Sequence, residues 1–234
     1  MTIKISARKF LHHTSPFFEG RRHFFRDLQK RTVMNSVRLN PIQEIDQLWN
    51  PIYPYLARHI SELYGRRDGD IVEIGPFCGV IFSLLKEKIG HSFRMAAFPE
   101  GMGHFFRQEV EKQNLVERIE IIETDPSLVG LEEDHCDLAI FRGAFFFPSL
   151  FHVDFSALYR ILGRGGIALL GGGFGKFTPK SMIEKIKRRS RDLNLSIGKT
   201  EIDEDHFIQD LQTRNLKGRF EFLTEGGLWV LMRK

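Results

Sequence analysis

The sequence has few cysteines, the residues that build disulfide frameworks and many metal centres. Only 2 of its 234 residues are cysteine. Neither Cys78 nor Cys136 belongs to a CxxC pair or to a Cys/His cluster with metal-ligand spacing. This scarcity excludes the disulfide-rich secreted class, and it predicts two reduced thiols and no metal site. Internal repeats and low-complexity segments are also absent, so a globular α/β protein remains the starting expectation.

Long apolar runs are missing too. The longest stretches, such as 144–147 and 167–170, are far shorter than the roughly 20 residues that span a bilayer. The first residues, MTIKISARKFLHH, are basic but lead into no apolar segment and no small-residue cleavage site. We therefore expect a cytoplasmic protein that does not enter the membrane.

An excess of positive charge is present only locally. The net charge is +4, and the basic residues concentrate in 8–38 and again in 185–191. Such clusters can contact phosphates. No basic-aromatic nucleic-acid motif accompanies them, however, and a solvated helix face is the plainer interpretation. Nucleic acid thus stays open as a partner but is not favoured.

Two regions differ in their apolar pattern. Over residues 1–67, apolar side chains recur at helical spacing and are interrupted by Pro41, Pro51 and Pro54, which predicts an N-terminal helical extension. From 68 to 234, short apolar runs alternate with amphipathic segments, as in a mostly parallel sheet covered on both faces. The predicted strands are 71–74, 93–98, 119–123, 138–141, 166–170, 219–224 and 228–232. The predicted helices are 80–89, 104–113, 155–162, 179–193 and 204–214.

Two glycine-rich segments are interpreted as turns between these elements. Gly163, Gly165 and Gly166 are expected to end the helix that precedes the fifth strand. Glu225-Gly226-Gly227 separates the last two strands, which is a hairpin signal. The chain is therefore expected to close with an antiparallel pair.

The stretch DIVEIGPFCGV, residues 70–80, is the strongest indication of a ligand site. In an open parallel sheet, ligands bind at the carboxyl ends of the strands, near the point where the strand order reverses. Gly75 and Gly79 allow a sharp turn and a close approach to a ligand, and the amides that open the next helix attract negative charge. A dinucleotide fingerprint would need glycine where Phe77 and Val80 stand, which disfavours a nicotinamide cofactor.

The pattern E-x-G-x-x-x-G, formed by Glu73, Gly75 and Gly79, resembles the first motif of the class I S-adenosylmethionine-dependent methyltransferases. IEIIETDP, CDLAIFRGAFFF and LYRILGRGGIALL resemble later motifs of the same family, and the likeness covers about residues 68–234. The resemblance implies an α/β, Rossmann-like, doubly wound and mostly parallel seven-stranded sheet with an antiparallel C-terminal hairpin. It also implies that 68–234 is the S-adenosylmethionine-binding methyltransferase domain. The extension 1–67, predicted from its own apolar pattern, precedes this domain and could act as a lid.

The resemblance further implies which residues bind the cofactor. Glu73 would lie beneath the amino group of S-adenosylmethionine, and Asp125 would hold the adenine amino group. Two positions depart from the family pattern: Phe77 replaces the middle glycine of the motif, and Phe98 stands where an acid binds the ribose, with Glu100 as a substitute two residues on. The implied set is Glu73, Gly75, Pro76, Phe77, Gly79, Glu100, Asp125, Pro126 and Arg142.

Several of these side chains also have an ordinary structural interpretation. Glu73 could bond backbone amides in the turn, because a buried acid needs partners. Asp125 could cap the turn that follows it, and Cys78 could be a small buried turn residue. Three aromatic side chains before the first strand could form a lid over the site or simply pack against the sheet: Trp49, Tyr53 and Tyr55.

His152 and Arg142 are the candidate catalytic residues, since they lie near the end of the fourth strand. His152 could take a proton from a substrate hydroxyl or amine, or it could be a surface residue. His104, after the second strand, is the weaker candidate for the same role. Arg142 could bind a substrate carboxylate or phosphate through two hydrogen bonds, or it could pair with a nearby acid.

The resemblance implies an S-adenosylmethionine-dependent methyltransferase. The methyl group is already activated on the sulfonium, so the protein mainly has to align an acceptor, and no catalytic triad is required. The Asn/Asp-Pro-Pro-aromatic motif of amino-group nucleic-acid methylases is absent from FRGAFFFP at 141–148, which favours a small-molecule acceptor. The alternative is a non-catalytic methyltransferase-like binding or scaffold protein with a modified cofactor pocket. A nicotinamide enzyme is a third, weaker alternative.

Overall fold

The computed structural model of the chain describes residues 39–234. Its strands are β1 (Asp70–Ile74), β2 (Ser92–Ala97), β3 (Glu120–Glu123), β4 (Cys136–Arg142), β5 (Leu162–Gly173), β6 (Arg219–Leu223) and β7 (Gly227–Arg233). They form one seven-stranded sheet in the order β3-β2-β1-β4-β5-β7-β6. The strands from β3 to β5 pair in parallel, and β7 pairs antiparallel with β5 and β6. The predicted sheet and its C-terminal hairpin are confirmed.

Helices alternate with these strands. They are α1 (described over 39–49), a 3-10 turn (Asn50–Ile52), α2 (Tyr53–Tyr64), α3 (Val80–Lys86), α4 (Met102–Lys112), α5 (Phe155–Ile161), α6 (Lys180–Ser196) and α7 (Glu204–Thr213). Pro51 and Pro54 lie in the first turns of the 3-10 turn and of α2, where the missing N–H would have no helical partner anyway. No described helix is long and apolar enough to cross a membrane.

β5 begins earlier than the sequence predicts. α5 ends at Ile161, and β5 starts at Leu162 opposite Cys136, with a shift in register along β4. A Cβ atom on Gly166 would lie 2.6 Å from the carbonyl oxygen of Cys136, so the two backbones approach too closely for a side chain. The glycines therefore mark an irregular first part of the strand and not a loop before it.

The strand order brings two functional segments to one edge of the sheet. β1 lies between β2 and β4, so the order reverses beside it, and this is where open α/β sheets leave a crevice. The turn 75–79 follows β1, and Arg142 ends β4. Both therefore lie at the carboxyl edge, and residues 71–80 are all buried.

The helices before β1 belong to the same compact unit as the sheet over the described residues 39–234. α2 packs beside α3 and buries Leu56 and Ile60 completely. The predicted helical character is confirmed for 39–64. The predictions for residues 1–38, including the first basic stretch, lie outside the described residues. The division into an extension 1–67 and a domain 68–234 stays a prediction.

Candidate functional site

Glu73 braces the turn after β1. It is fully buried, and its carboxylate accepts hydrogen bonds from the amides of Gly79 (2.8 Å), Val80 (3.3 Å) and Ile81 (3.0 Å). These donors belong to the start of α3 and have no partner within the helix. Burial raises the pKa of Glu73 to about 7, while Arg142 and the three amides lower it. These contacts match the interpretation in which Glu73 bonds backbone amides in the turn. A cofactor role for Glu73 stays a prediction.

The glycines of the turn are covered by side chains of the protein itself. Gly75 has a φ of +94°, and a Cβ atom there would lie 2.9 Å from the ring of Phe141. A Cβ atom on Gly79 would clash with the ring of Tyr53. Cys78 donates to the carbonyl oxygen of Gly75 (3.2 Å), and burial raises the pKa of its thiol well above the usual range. Cys78 is thus a buried turn residue with a neutral thiol.

Phe77 points toward the loop after β4. Its ring packs against Phe147 with centroids 4.9 Å apart, and a Cβ atom on Gly143 would lie 2.8 Å from it. The carbonyl oxygen of Phe77 accepts a hydrogen bond from Arg142 Nη1 (3.0 Å). The residue that replaces the middle glycine of the motif therefore links the turn after β1 to the end of β4.

Phe98 belongs to an aromatic cluster that also contains Phe141 and Phe151. The ring centroids are 5.7 Å apart for Phe98–Phe141, 5.7 Å for Phe98–Phe151 and 5.2 Å for Phe141–Phe151. Each ring is at most 5% exposed, and the tilted and edge-to-face arrangements are favourable for aromatic pairs. The aromatic cluster fills the carboxyl edge where β1, β2 and β4 end, at the place where the resemblance expects a ribose-binding acid.

The predicted acids after β2 and β3 are exposed. Glu100 lies in the turn that follows β2, and Asp125 lies in the turn that follows β3. Asp125 Oδ1 accepts from Ser127 N (2.8 Å) and from Ser127 Oγ (2.5 Å), and these hydrogen bonds lower the pKa of Asp125. Pro126 is half-buried beside it. Asp125 therefore has the geometry of a turn cap, while Glu100 and Asp125 are both accessible from solvent.

The predicted base, His152, is not among the described residues that line the cavity at the carboxyl ends of β4 and β5. It is exposed, whereas the preceding Phe151 is buried in the aromatic cluster. His104 is exposed on α4, with Nε2 3.1 Å from Gln108 Nε2. The structure therefore does not bring either histidine to the cavity.

A cavity of about 620 Å³ opens at the carboxyl ends of β4 and β5. This volume is typical of sites that hold small molecules. Its aromatic wall consists of Trp49, Phe77, Phe146, Phe147 and Phe174. Trp49 stacks on Phe174 with centroids 4.6 Å apart, which joins α1 to the segment after β5. The cavity was not predicted as such, because its wall comes from four separate parts of the chain.

Arg142 is the buried charge of this cavity. It is 5% exposed, and its guanidinium carbon lies 4.6 Å from the ring centroid of Tyr53 and 5.2 Å from that of Trp49. Such cation–π contacts partly replace lost hydration. Burial lowers the pKa of Arg142, but Tyr53, Glu73 and Asp46 outweigh it and leave the pKa raised. Among residues 39–234, no carboxylate forms an ion pair with Arg142 within 4.0 Å.

Asp46 and Tyr53 connect the first two helices to the site. Tyr53 Oη donates to Asp46 Oδ1 (2.5 Å) and lies 3.2 Å from the carbonyl oxygen of Asp46. Burial raises the pKa of Asp46 to about 8, against the opposing effects of Arg142 and the Tyr53 hydrogen bond. Because Tyr53 also covers Gly79, the contacts show packing of this segment on the sheet. A lid movement of Trp49, Tyr53 and Tyr55 stays a prediction.

The second basic stretch divides into two groups on α6. Lys187 and Arg191 line the cavity together with Lys199, and we call these three residues the cationic rim. Arg188 lies outside the cavity. Burial lowers the pKa of Lys199, the nearby charge of Lys187 lowers it further, and Glu201 opposes both. The sequence carries no signal that separates the rim residues of α6 from their neighbours, because Lys185 and Arg189 have the same i, i+4 spacing.

Comparison with known proteins agrees on the architecture. No family model and no curated protein matches the sequence. A provisionally assigned S-adenosyl-L-methionine-dependent methyltransferase from Methanococcus maripaludis is 26% identical, with a TM-score of 0.68 over 84% of this chain and 91% of its own. A methyltransferase from Aquifex aeolicus that depends on the same cofactor is 14% identical, with a TM-score of 0.53 over 82% of this chain and 96% of its own. The chain has the class I S-adenosylmethionine-dependent methyltransferase fold.

Proposed function

We propose that the chain is an S-adenosylmethionine-dependent methyltransferase that acts on a small molecule. The observation that carries the proposal is the cavity of about 620 Å³, which begins at Phe77 of the motif turn and extends past the ends of β4 and β5. The M. maripaludis protein supports it, because the two chains share 26% of their residues over most of both lengths.

Three residues at this edge of the sheet have the chemistry that the cofactor requires. Arg142 offers a guanidinium beside the turn, which is the partner that the carboxylate of S-adenosylmethionine needs. Glu100 is an exposed carboxylate after β2, so it is the group that would bind the ribose hydroxyls where Phe98 supplies no acceptor. Asp125 is the corresponding group for the adenine. When bound, the cofactor supplies a methyl group that is already activated on a sulfonium.

The chain's own residues then have to hold and orient the acceptor. The aromatic wall offers apolar surface that excludes water, and ordering the acceptor there lowers the entropic part of the barrier. Among the described residues, no histidine or cysteine lines the cavity, and its carboxylates are Glu201 and Glu204. These two acids are the groups placed to accept a proton from the acceptor.

Isothermal titration calorimetry of the full chain with S-adenosylmethionine and S-adenosylhomocysteine tests this proposal. We expect micromolar binding of both. Replacement of the exposed acid, Glu100→Gln, should weaken it at least fivefold without changing the fold, and Glu87→Gln, at an exposed position on the end of α3, should leave it unchanged. Absence of heat at high micromolar ligand would overturn the proposal.

A second candidate function follows from the aromatic cluster. Phe98, Phe141 and Phe151 fill the edge beside Gly75, and Tyr53 covers Gly79. A methyltransferase-like binding protein without catalysis would have this closed turn and still keep the cavity. The same titration separates the two, because such a protein would give no heat with the cofactor and would still bind molecules in the cavity.

A further inference from the structure

The cationic rim places like charges around one opening. Lys187 and Arg191 are one helical turn apart on α6, so their side chains share a face. Lys199 follows α6, and its pKa responds to the charge of Lys187. Within residues 39–234, none of the three forms an ion pair within 4.0 Å. Their mutual repulsion is therefore not relieved by a described carboxylate in contact with them.

Two acids also line the cavity and reduce this positive potential. They are Glu201, which opposes the pKa shift of Lys199, and Glu204 at the start of α7. Apart from Arg142, which the proposed function assigns to the cofactor, the cavity has three cationic side chains against these two carboxylates. The three side chains of the cationic rim are exposed, so their excess charge attracts an anion at the opening and is screened by salt.

The walls determine what else an occupant must offer. Trp49, Phe77 and Phe146 present aromatic surface inside the cavity, and Lys199 Nζ lies 5.6 Å from the ring centroid of Phe146. An apolar body would pack on these rings while an anionic group reaches the opening. An uncharged apolar molecule would leave the cationic rim without a partner, and a small inorganic anion would leave the wall without one.

We propose that the cavity binds a small molecule with an aromatic or aliphatic body and one anionic group, a carboxylate or a phosphate, which the cationic rim holds. The proposal that such a molecule binds depends only on the shape and charge of the cavity. The role of the molecule as methyl acceptor rests on the proposed function.

A matched pair of fluorescent probes tests the charge requirement on the full chain. 1-Anilinonaphthalene-8-sulfonate is anionic, and N-phenyl-1-naphthylamine has the same ring system without the sulfonate. We expect Lys187→Ala/Arg191→Ala to weaken the anionic probe at least fivefold and to change the neutral probe less than twofold. Lys185→Ala/Arg188→Ala removes the same charge from the same helix outside the cavity, and it should change either affinity less than twofold. Glu201→Gln should tighten the anionic probe about twofold.

Displacement of the anionic probe then identifies the preferred anion. We expect 1-naphthoate or 1-naphthyl phosphate to displace it at a concentration at least tenfold lower than uncharged 1-naphthol does. Equal displacement by all three would overturn the proposal, and so would a rim variant that behaves like its control. Loss of neutral-probe binding in the rim variant would also overturn it, because the effect would then not concern charge. Failure of cofactor binding in the calorimetric titration would remove only the role as methyl acceptor.

Discussion

Two neighbouring parts of the same sheet edge are built in opposite ways. At the turn after β1, residues 71–80 are all buried, the glycines are covered by rings of the protein, and Glu73 has three hydrogen-bond donors. At the ends of β4 and β5, a cavity of about 620 Å³ is open and the cationic rim has no described ion-pair partner. The first part is a closed and satisfied structure, whereas the second leaves both space and charge available.

The class I fold is expected to have its cofactor turn and its open crevice at the same place, the switch point beside β1. In this chain the turn is closed and the open space lies to one side of it. The order reversal beside β1 still shapes the edge. Phe77 and Phe98, however, put large rings where the family pattern has a glycine and an acid, and the rings pack inward. The open volume therefore lies toward β4 and β5. Phe77 joins the two parts, since it belongs to the turn and also lines the cavity.

Replacement of Glu73 should lower the free energy of unfolding more than any other change proposed for the closed turn. Glu73→Ala removes the acceptor of three buried amides at the start of α3 and leaves the nearby charge of Arg142 with less compensation. We expect a loss of about 4 kcal/mol in the free energy of unfolding, which is typical for breaking a buried charged network. Urea unfolding followed by circular dichroism measures this loss. Glu87→Gln, at an exposed site, should stay within about 0.5 kcal/mol of the parent.

Removal of one phenylalanine from each part tests whether the two parts differ in packing. Phe151→Ala leaves a hole in the buried aromatic cluster and should cost about 3 kcal/mol. Phe146→Ala removes a half-buried ring from the cavity wall and should cost about 1 kcal/mol, since solvent can enter the space. Urea unfolding of both variants gives the two values. Equal costs would show that the two parts do not differ in packing.

The sequence predicts the elements of this edge better than their contacts. The order of strands and helices could be predicted, because apolar periodicity and glycine spacing are local properties of segments such as 70–80. The side chains that fill the space around the turn could not be predicted. Tyr53, Phe98 and Phe151 are far apart in the chain and meet around it only through tertiary packing.

The same limit applies to the cavity. The basic stretch on α6 was visible, but its division into rim and outer residues depends on which face of the helix packs, shown by buried Ile186, Ser190 and Asn194. Lys199 reaches the rim only because the chain turns back after α6. The position of His152 could not be predicted for a related reason: the sequence does not show that Phe151 is buried and His152 exposed. A catalytic role for His152 stays a prediction.

The boundary between the two parts should respond to pH. Asp46 holds Tyr53 over the closed turn and also lies near Arg142 of the cavity. Burial raises the pKa of Asp46 to about 8 and that of Glu73 to about 7, from 3.8 and 4.5. Between the unfolded and the folded pKa of each group, the folded chain binds more protons than the unfolded chain. The contribution of the two groups to the free energy of unfolding is therefore fully present at low pH. It falls as pH rises, by at most about 1.4 kcal/mol per pH unit for each group. Asp46→Asn keeps an acceptor for Tyr53 but removes one titration.

Urea unfolding at pH 6.5 and pH 8 measures this effect, which is the smallest of the three. The parent should lose about 1 to 2 kcal/mol more than Asp46→Asn over that range. Asp192→Asn, at an exposed position on α6, should lose as much as the parent, because its removal leaves the buried groups unchanged. If Asp46→Asn kept the full pH dependence, Asp46 would be ionised in the folded protein. Asp46 and Arg142 would then be two buried opposite charges at the boundary between the closed turn and the cavity, and the contrast between a satisfied part and a positively charged part would weaken there.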